Sequence, residues 1–314
     1  MKSTICTLSA IVLVTGFVAI ALCRSAPEQA IVGRWDLTVG TAPNTYPSWL
    51  ELTQRDGRLA GRFVGKVGSA RPIKQIDYAN GQLDFSLPPQ YEKFKGTITF
   101  TATLAGDELK GTTRGEDGLL PFTGVRAPVL PRNSNPAWGK PITLFNGKSM
   151  AGWKLKNPKL KDGWNAVKGV LGNHMPSSDI VTERQFTDFK LHLEFMVAPK
   201  SNSGVYLRGR YEIQIQDDFG KPAESHFIGG LYGFLDPVVN AGRKAMEWQS
   251  YDVTLLGRWV TIVLNGRTVI DNREIPGITG GALESREGEP GPVMLQGDHG
   301  DVYFRNIIIT PAEK

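Results

Sequence analysis

The chain has 314 residues, 40% of them hydrophobic and 21% charged, with 36 glycines and 20 prolines. That supplies two packed units, or one large β unit with an appendage, and suits many tight turns better than long helices. The formal charge of +5 includes no Lys/Arg stripe, which excludes nucleic acid as an expected partner.

At the N-terminus Lys2 precedes the apolar run TICTLSAIVLVTGFVAIAL, with polar RSAPEQ after it. This is the layout of a secretory signal peptide over residues 1–25. The run is also nearly long enough to span a bilayer, so a retained anchor is the alternative. After cleavage no stable membrane span is expected. The segment ending at Cys23 has the outline of a lipoprotein box, but Leu22 is bulky for the position before a modified cysteine and disfavours lipidation. Cys6 and Cys23, the chain's 2 cysteines, both fall in this leader. The mature chain then has no disulfide, thiol nucleophile or Cys-ligated metal. The expected location is the periplasm or the exterior.

Residues 31–127 predict a small antiparallel β domain, a barrel or meander. Short strand candidates such as GRWDLTV, SWLELTQ and KGTITFTATL alternate with turn signals at Asp56-Gly57, Asn80-Gly81 and Asp117-Gly118. Gly33-Arg34-Trp35 resembles the opening of lipocalin-type barrels, and Trp35 is expected to plug the core. PVLPRNSNPAWGK, residues 128–140, holds three prolines and predicts a linker. From 141 to 314 a second run of strands follows with no crossover helix. Asn265-Gly266 marks a two-residue hairpin within it. About ten strands of this kind predict a sandwich of two antiparallel sheets.

Along YEIQIQD, period-two alternation sets Tyr211, Ile213 and Ile215 on one face and Glu212, Gln214 and Gln216 on the other. The preceding strand offers Tyr206 and Arg208 beside that polar row. FNGKSMAGW, NSGVYLRG, YEIQIQD, EWQSYDV, VLNGRTVID and LQGDHGDVYFRNIII, in that order, resemble the 3-keto-disaccharide hydrolase domain family, formerly a domain of unknown function. The resemblance covers residues 140 to 312. It implies an all-β fold with a C-terminal concanavalin A-like jelly-roll sandwich, and exported proteins that act on sugars, including glucosides oxidised to a ketone at C3. Met246 and Gln249 depart from the commoner family form, which bears on the substrate more than on the fold.

Glucanases of that superfamily carry two catalytic glutamates on one inner strand. Here the strand keeps Glu212 and has amides at the next two alternating positions, and an amide can neither attack an anomeric carbon nor shuttle a proton. Double-carboxylate hydrolysis is therefore not supported by this strand. A 3-keto sugar asks for less: a base for the acidified C2 hydrogen, a proton donor for the leaving oxygen, and donors for the developing enolate. Glu212 is the candidate base, with Glu247 or His299 assisting. His299 can work as acid or base near neutral pH. Asn202, Tyr206, Gln214, Gln216, Tyr232 and Gln296 are candidate sugar contacts, and Arg208 or Arg305 a candidate partner for the enolate.

No cofactor is expected beyond a structural calcium, for which Asp217, Asp218 and Asp298 are the candidate ligands. The expected partner is a small sugar or glycoside. Two rival readings stay open: a non-catalytic, lectin-like carbohydrate-binding protein, and an assembly protein whose N-terminal barrel takes a partner or an apolar ligand.

Overall fold

The computed structural model describes residues 30–313; the expected leader, with Cys6 and Cys23, lies outside the described residues. Nine strands build the first unit: β1 (Gly33–Thr41), β2 (Asn44–Arg55), β3 (Arg58–Val64), β4 (Arg71–Ile73), β5 (Ile76–Ala79), β6 (Gln82–Leu87), β7 (Ile98–Ala105), β8 (Glu108–Gly115) and β9 (Gly118–Arg126). They form one antiparallel sheet in the order β4-β3-β2-β1-β9-β8-β7-β6-β5, and its two ends curl toward each other into a near-barrel. At the β5–β6 hairpin Asn80 and Gly81 adopt φ of 52° and 79°, the left-handed pair that such a two-residue turn demands.

The barrel interior is filled by aromatic rings. Phe85 stacks on Phe100 at 4.5 Å, and Phe63 and Phe122 close around them. The cleft at this end measures about 40 Å³. The unit's own phenylalanines occupy this part of the interior. Trp35 is fully buried and donates its indole N–H to the Ile31 carbonyl at 3.0 Å, so it is a core residue as its motif predicts.

The second unit comprises β10 (Ile142–Thr143), β11 (Trp153–Leu155), β12 (Trp164–Val167), β13 (Val170–Asn173), β14 (Ile180–Thr182), β15 (Phe189–Val197), β16 (Asn202–Leu207), β17 (Tyr211–Gln216), β18 (Gln249–Leu256), β19 (Trp259–Leu264), β20 (Arg267–Glu274), β21 (Met294–Leu295) and β22 (Val302–Pro311). One sheet runs β12-β13-β22-β15-β18-β19-β20, with β10 beside β22, and faces a smaller sheet β11-β14-β21-β16-β17. All pairings are antiparallel, and the inner faces meet in one apolar core, as in a jelly-roll sandwich. No helix among the described residues is long and apolar enough to cross a membrane.

The two units share buried surface. Trp49 and Val64 of the first unit belong to the core of the second, where Trp49 meets Phe234 edge-on at 5.2 Å. Gly277 permits that approach, since a Cβ there would overlap the Trp49 indole. Nearby, the Gly281 N–H donates to the Lys66 carbonyl at 3.0 Å. The Lys66–Gly68 segment thereby sits against Gly280 and Gly281, and its Val67 and Gly68 line one cavity with Glu212 and Gln214 of β17.

Candidate active site

Strands β16 and β17 pair so that Tyr206 lies opposite Glu212, Gly204 opposite Gln214 and Asn202 opposite Gln216. The alternate residues Val205, Ile213 and Ile215 point into the sandwich core and are fully buried. The Glu212 face is covered as well, with Glu212 only 4% exposed and Gln214 2%. The cover comes from the first unit and from the Gly229–Phe234 segment, whose Tyr232 N–H donates to the Glu212 carbonyl at 2.9 Å. Glu212 and Gln214 thus form the floor of a cavity of about 520 Å³.

Glu212 lies across Gly204, where any Cβ would overlap the carboxyl group. The Tyr206 hydroxyl is 2.9 Å from Glu212 Oε2 and 2.9 Å from the Gly280 carbonyl. It has one proton for two acceptors. Protonated Glu212 resolves the conflict by donating to Tyr206 while Tyr206 donates to Gly280. Burial drives the Glu212 carboxyl up to about 8, against the pull of the Tyr206 hydrogen bond and the nearby His299, and with the push of Asp179 and Asp298. Burial likewise raises the Tyr206 phenol well above its usual range.

His299 enters the cavity from the loop after β21. That loop is fixed by Asn173, whose side-chain amide donates to the Gly297 carbonyl at 2.8 Å and the Gly300 carbonyl at 3.0 Å. The Asp298 carboxylate accepts from His299 Nδ1, and this bond holds the imidazole above its usual value of 6.5. Burial tends to raise Asp298, but His299 and then Lys156 keep it below the usual carboxylate range. Asp179 accepts from Lys156 Nζ at 3.0 Å and from the Gly297 N–H at 3.0 Å, so its carboxylate is already engaged. The side-chain oxygens of Gln214 and Gln296 have no hydrogen-bond partner, which leaves acceptor capacity in the wall.

Residues 140–310 match the model of the 3-keto-alpha-glucoside-1,2-lyase-like domain, more than half of the chain. The chain belongs to this family. Among solved structures, a Parabacteroides distasonis protein provisionally assigned as a glycosyl hydrolase shares 29% identity, with 58% of this chain and 92% of that one covered, at a TM-score of 0.47. The Bacillus licheniformis β-glucanase shares 13% identity over 56% of this chain and 99% of its own, at 0.37. The carbohydrate-binding module CBM66 of Bacillus subtilis shares 14% over 50% and 93%, at 0.35. No curated protein matches. Membership makes this a carbohydrate-processing protein.

In this lyase-like domain eight of the residues nominated from sequence line the cavity: Asn202, Tyr206, Glu212, Gln214, Tyr232, Gln296, Asp298 and His299. Arg208, Gln216, Glu247 and Arg305 lie outside it, as do Asp217 and Asp218. Arg208 falls beyond the end of β16 in the hairpin turn, at φ 53°, so strand alternation no longer applies to it. Its guanidinium donates to the Gly257 carbonyl at 2.8 Å and to the Tyr211 hydroxyl at 3.1 Å, on the opposite side of the sheet. Arg305 sits in the other sheet, paired with Glu194 at 2.6 Å and 3.9 Å above the Trp248 ring. Glu247 is exposed, away from the cavity lining. Gln216 accepts from Gln214 Nε2 at 3.2 Å and supports the row from its end.

The calcium candidates do not gather. Asp217 accepts from the Lys200 N–H at 2.8 Å, Asp218 from the Ile228 N–H at 2.8 Å, and Asp298 is paired with His299. Among the described residues no group of three or more His, Cys, Asp or Glu side chains is placed to hold a metal ion.

Lys156, Asp179, Val67, Gly68 and Tyr91 line the cavity without having been singled out from sequence. Asp179 stands immediately before β14, and a carboxylate beside a buried apolar strand is the one signal that could have marked it.

Proposed function

We propose that the chain is an exported enzyme that eliminates the C1 substituent of 3-keto-α-glucosides, with hydration of the product to follow. The observation that carries this reading is the buried Glu212–Tyr206 pair sharing one cavity with the Asp298-held His299. Ionised Glu212, on the floor, takes the C2 hydrogen as a proton. The electron pair passes through the C3 enolate, forms the C1–C2 double bond and expels the C1 oxygen. Protonated His299, nearer the mouth and exposed, gives its proton to that leaving oxygen. Lys156, the Lys or Arg side chain in the lining, meets the developing C3 oxyanion in place of the arginines expected from sequence. The products are a 1,2-unsaturated 3-ketone and the free alcohol. Water then adds across the double bond, hydroxyl to C1 and hydrogen to C2, giving the 3-keto sugar.

The test is a paired assay with methyl 3-keto-α-glucoside and methyl α-glucoside. Methanol release accompanied by transient enone absorbance, from the ketone alone, is expected. Tight binding of both sugars with release from neither would leave the lectin-like reading in its place.

A further inference from the structure

Tyr91 is 60% exposed, yet the loop that carries it is held by a network of part-buried polar groups. Glu92 accepts from Arg71 Nη2 at 2.8 Å and from the Gln90 N–H at 2.6 Å, and Arg71 also donates to the Pro88 carbonyl at 2.8 Å. Gln90 in turn accepts from the Ser69 N–H at 3.1 Å and donates to the Ser69 hydroxyl at 3.0 Å. These bonds fasten the Tyr91 loop to the segment that supplies Val67 and Gly68 to the same cavity wall. Tyr91 of the first unit and Tyr232 of the second line the same cavity. An exposed ring gains little stability for the fold, and this much scaffolding behind it points to a ligand.

Resting on the elimination reading, we infer that Tyr91 with Val67 forms a leaving-group subsite on the first unit, suited to a flat or aromatic aglycone. The C1–C2 bond must reach Glu212 on the floor, so a substituent of any size on C1 extends toward the mouth. The ring and isopropyl group add apolar surface to a lining that also holds the polar Asp179, Asp298 and His299. A methyl substituent is too small to cover that surface, whereas an aryl group can lie on it.

The experiment measures binding separately from turnover. Calorimetry on full-length Glu212→Gln protein gives dissociation constants for 4-nitrophenyl and methyl 3-keto-α-glucosides, with and without Tyr91→Ala or Tyr91→Phe. The aryl glucoside is expected to bind at least about tenfold tighter than the methyl one. Tyr91→Ala erases that preference and Tyr91→Phe, which keeps the ring, retains it. An aryl preference that survives Tyr91→Ala, or the lack of any preference or any binding, overturns the subsite. Turnover by the wild-type chain is scored in parallel. An aryl preference lost in Tyr91→Ala without turnover of either glucoside upholds the subsite and defeats the elimination chemistry.

Discussion

Glu212 keeps its proton to about pH 8 in the folded chain, against an ordinary carboxyl value of 4.5. The unfolded chain therefore releases that proton first as pH rises, and folding loses stability between those two values. Glutamine at 212 has no proton to lose. Glu212→Gln is expected to raise the melting temperature more at pH 9 than at pH 5, and a pH-independent difference would show that the carboxyl is not held neutral. The hydrogen bond from Tyr206 lowers the Glu212 value, so its removal raises it further. Tyr206→Phe should shift the acid limb of kcat/KM to higher pH and cut activity at pH 7 by roughly tenfold, the range of one lost charge-assisted hydrogen bond. An unmoved limb would assign it to another group. Glu212, Gln214 and Gln296 were legible from strand alternation and motif order, because period two fixes which side chains share a face. Arg208 was not, because the strand stops one residue earlier and a left-handed turn reverses its direction.

At the scale of elements, the site depends on close backbone approach between β16 and β17. Gly204 leaves the space that Glu212 fills, and Gly281, at φ 78°, leaves room for the Tyr206 hydroxyl. Gly204→Ala is expected to displace the carboxyl and lower kcat by tenfold or more, while circular dichroism still reports a folded sandwich. Unchanged kcat would mean that Glu212 need not lie where it does. The loop after β21 is held from outside its own strand, by Asn173 and Asp179, and that explains why the local sequence marked His299 but said nothing of what fixes it. Hairpins such as Asn265-Gly266 were readable because their turn chemistry is local, with φ of 53° and 78° at the two positions. Contacts between distant segments, such as Lys156 with Asp179, leave no comparable trace.

Across the whole molecule, the first unit is part of the second unit's core and of its cavity. Trp49 carries much of that union, and Trp49→Ala should destabilise the protein by about 3–5 kcal/mol in denaturant titration, the range for a large buried aromatic. A cost below about 1 kcal/mol would show that the two units stand independently. Asp36 of β1 is buried at the same junction, where burial first and the neighbouring Glu287 second raise its carboxyl to about 9. Glu287 also accepts from the Tyr211 hydroxyl at 2.6 Å and faces Arg258 at 3.3 Å. Stability held by protonated Asp36 is lost as pH rises from 3.8 through about 9. Asp36→Asn should accordingly unfold at a higher temperature than wild type in alkaline buffer. None of this junction was legible in the sequence: a proline-rich connector suggests two separable pieces, and hydrophobic patterning does not say which outward-facing tryptophan serves a neighbour's core.

The central claim is that Glu212 removes the C2 hydrogen of a 3-keto-α-glucoside. Its most direct measurement follows exchange of that hydrogen with deuterium from heavy water by nuclear magnetic resonance, for the wild-type chain and for Glu212→Gln protein of unchanged fold. Exchange or elimination at C2 with the wild-type chain, and neither with the variant, is the expected result. C2 exchange at wild-type rate in Glu212→Gln would contradict it.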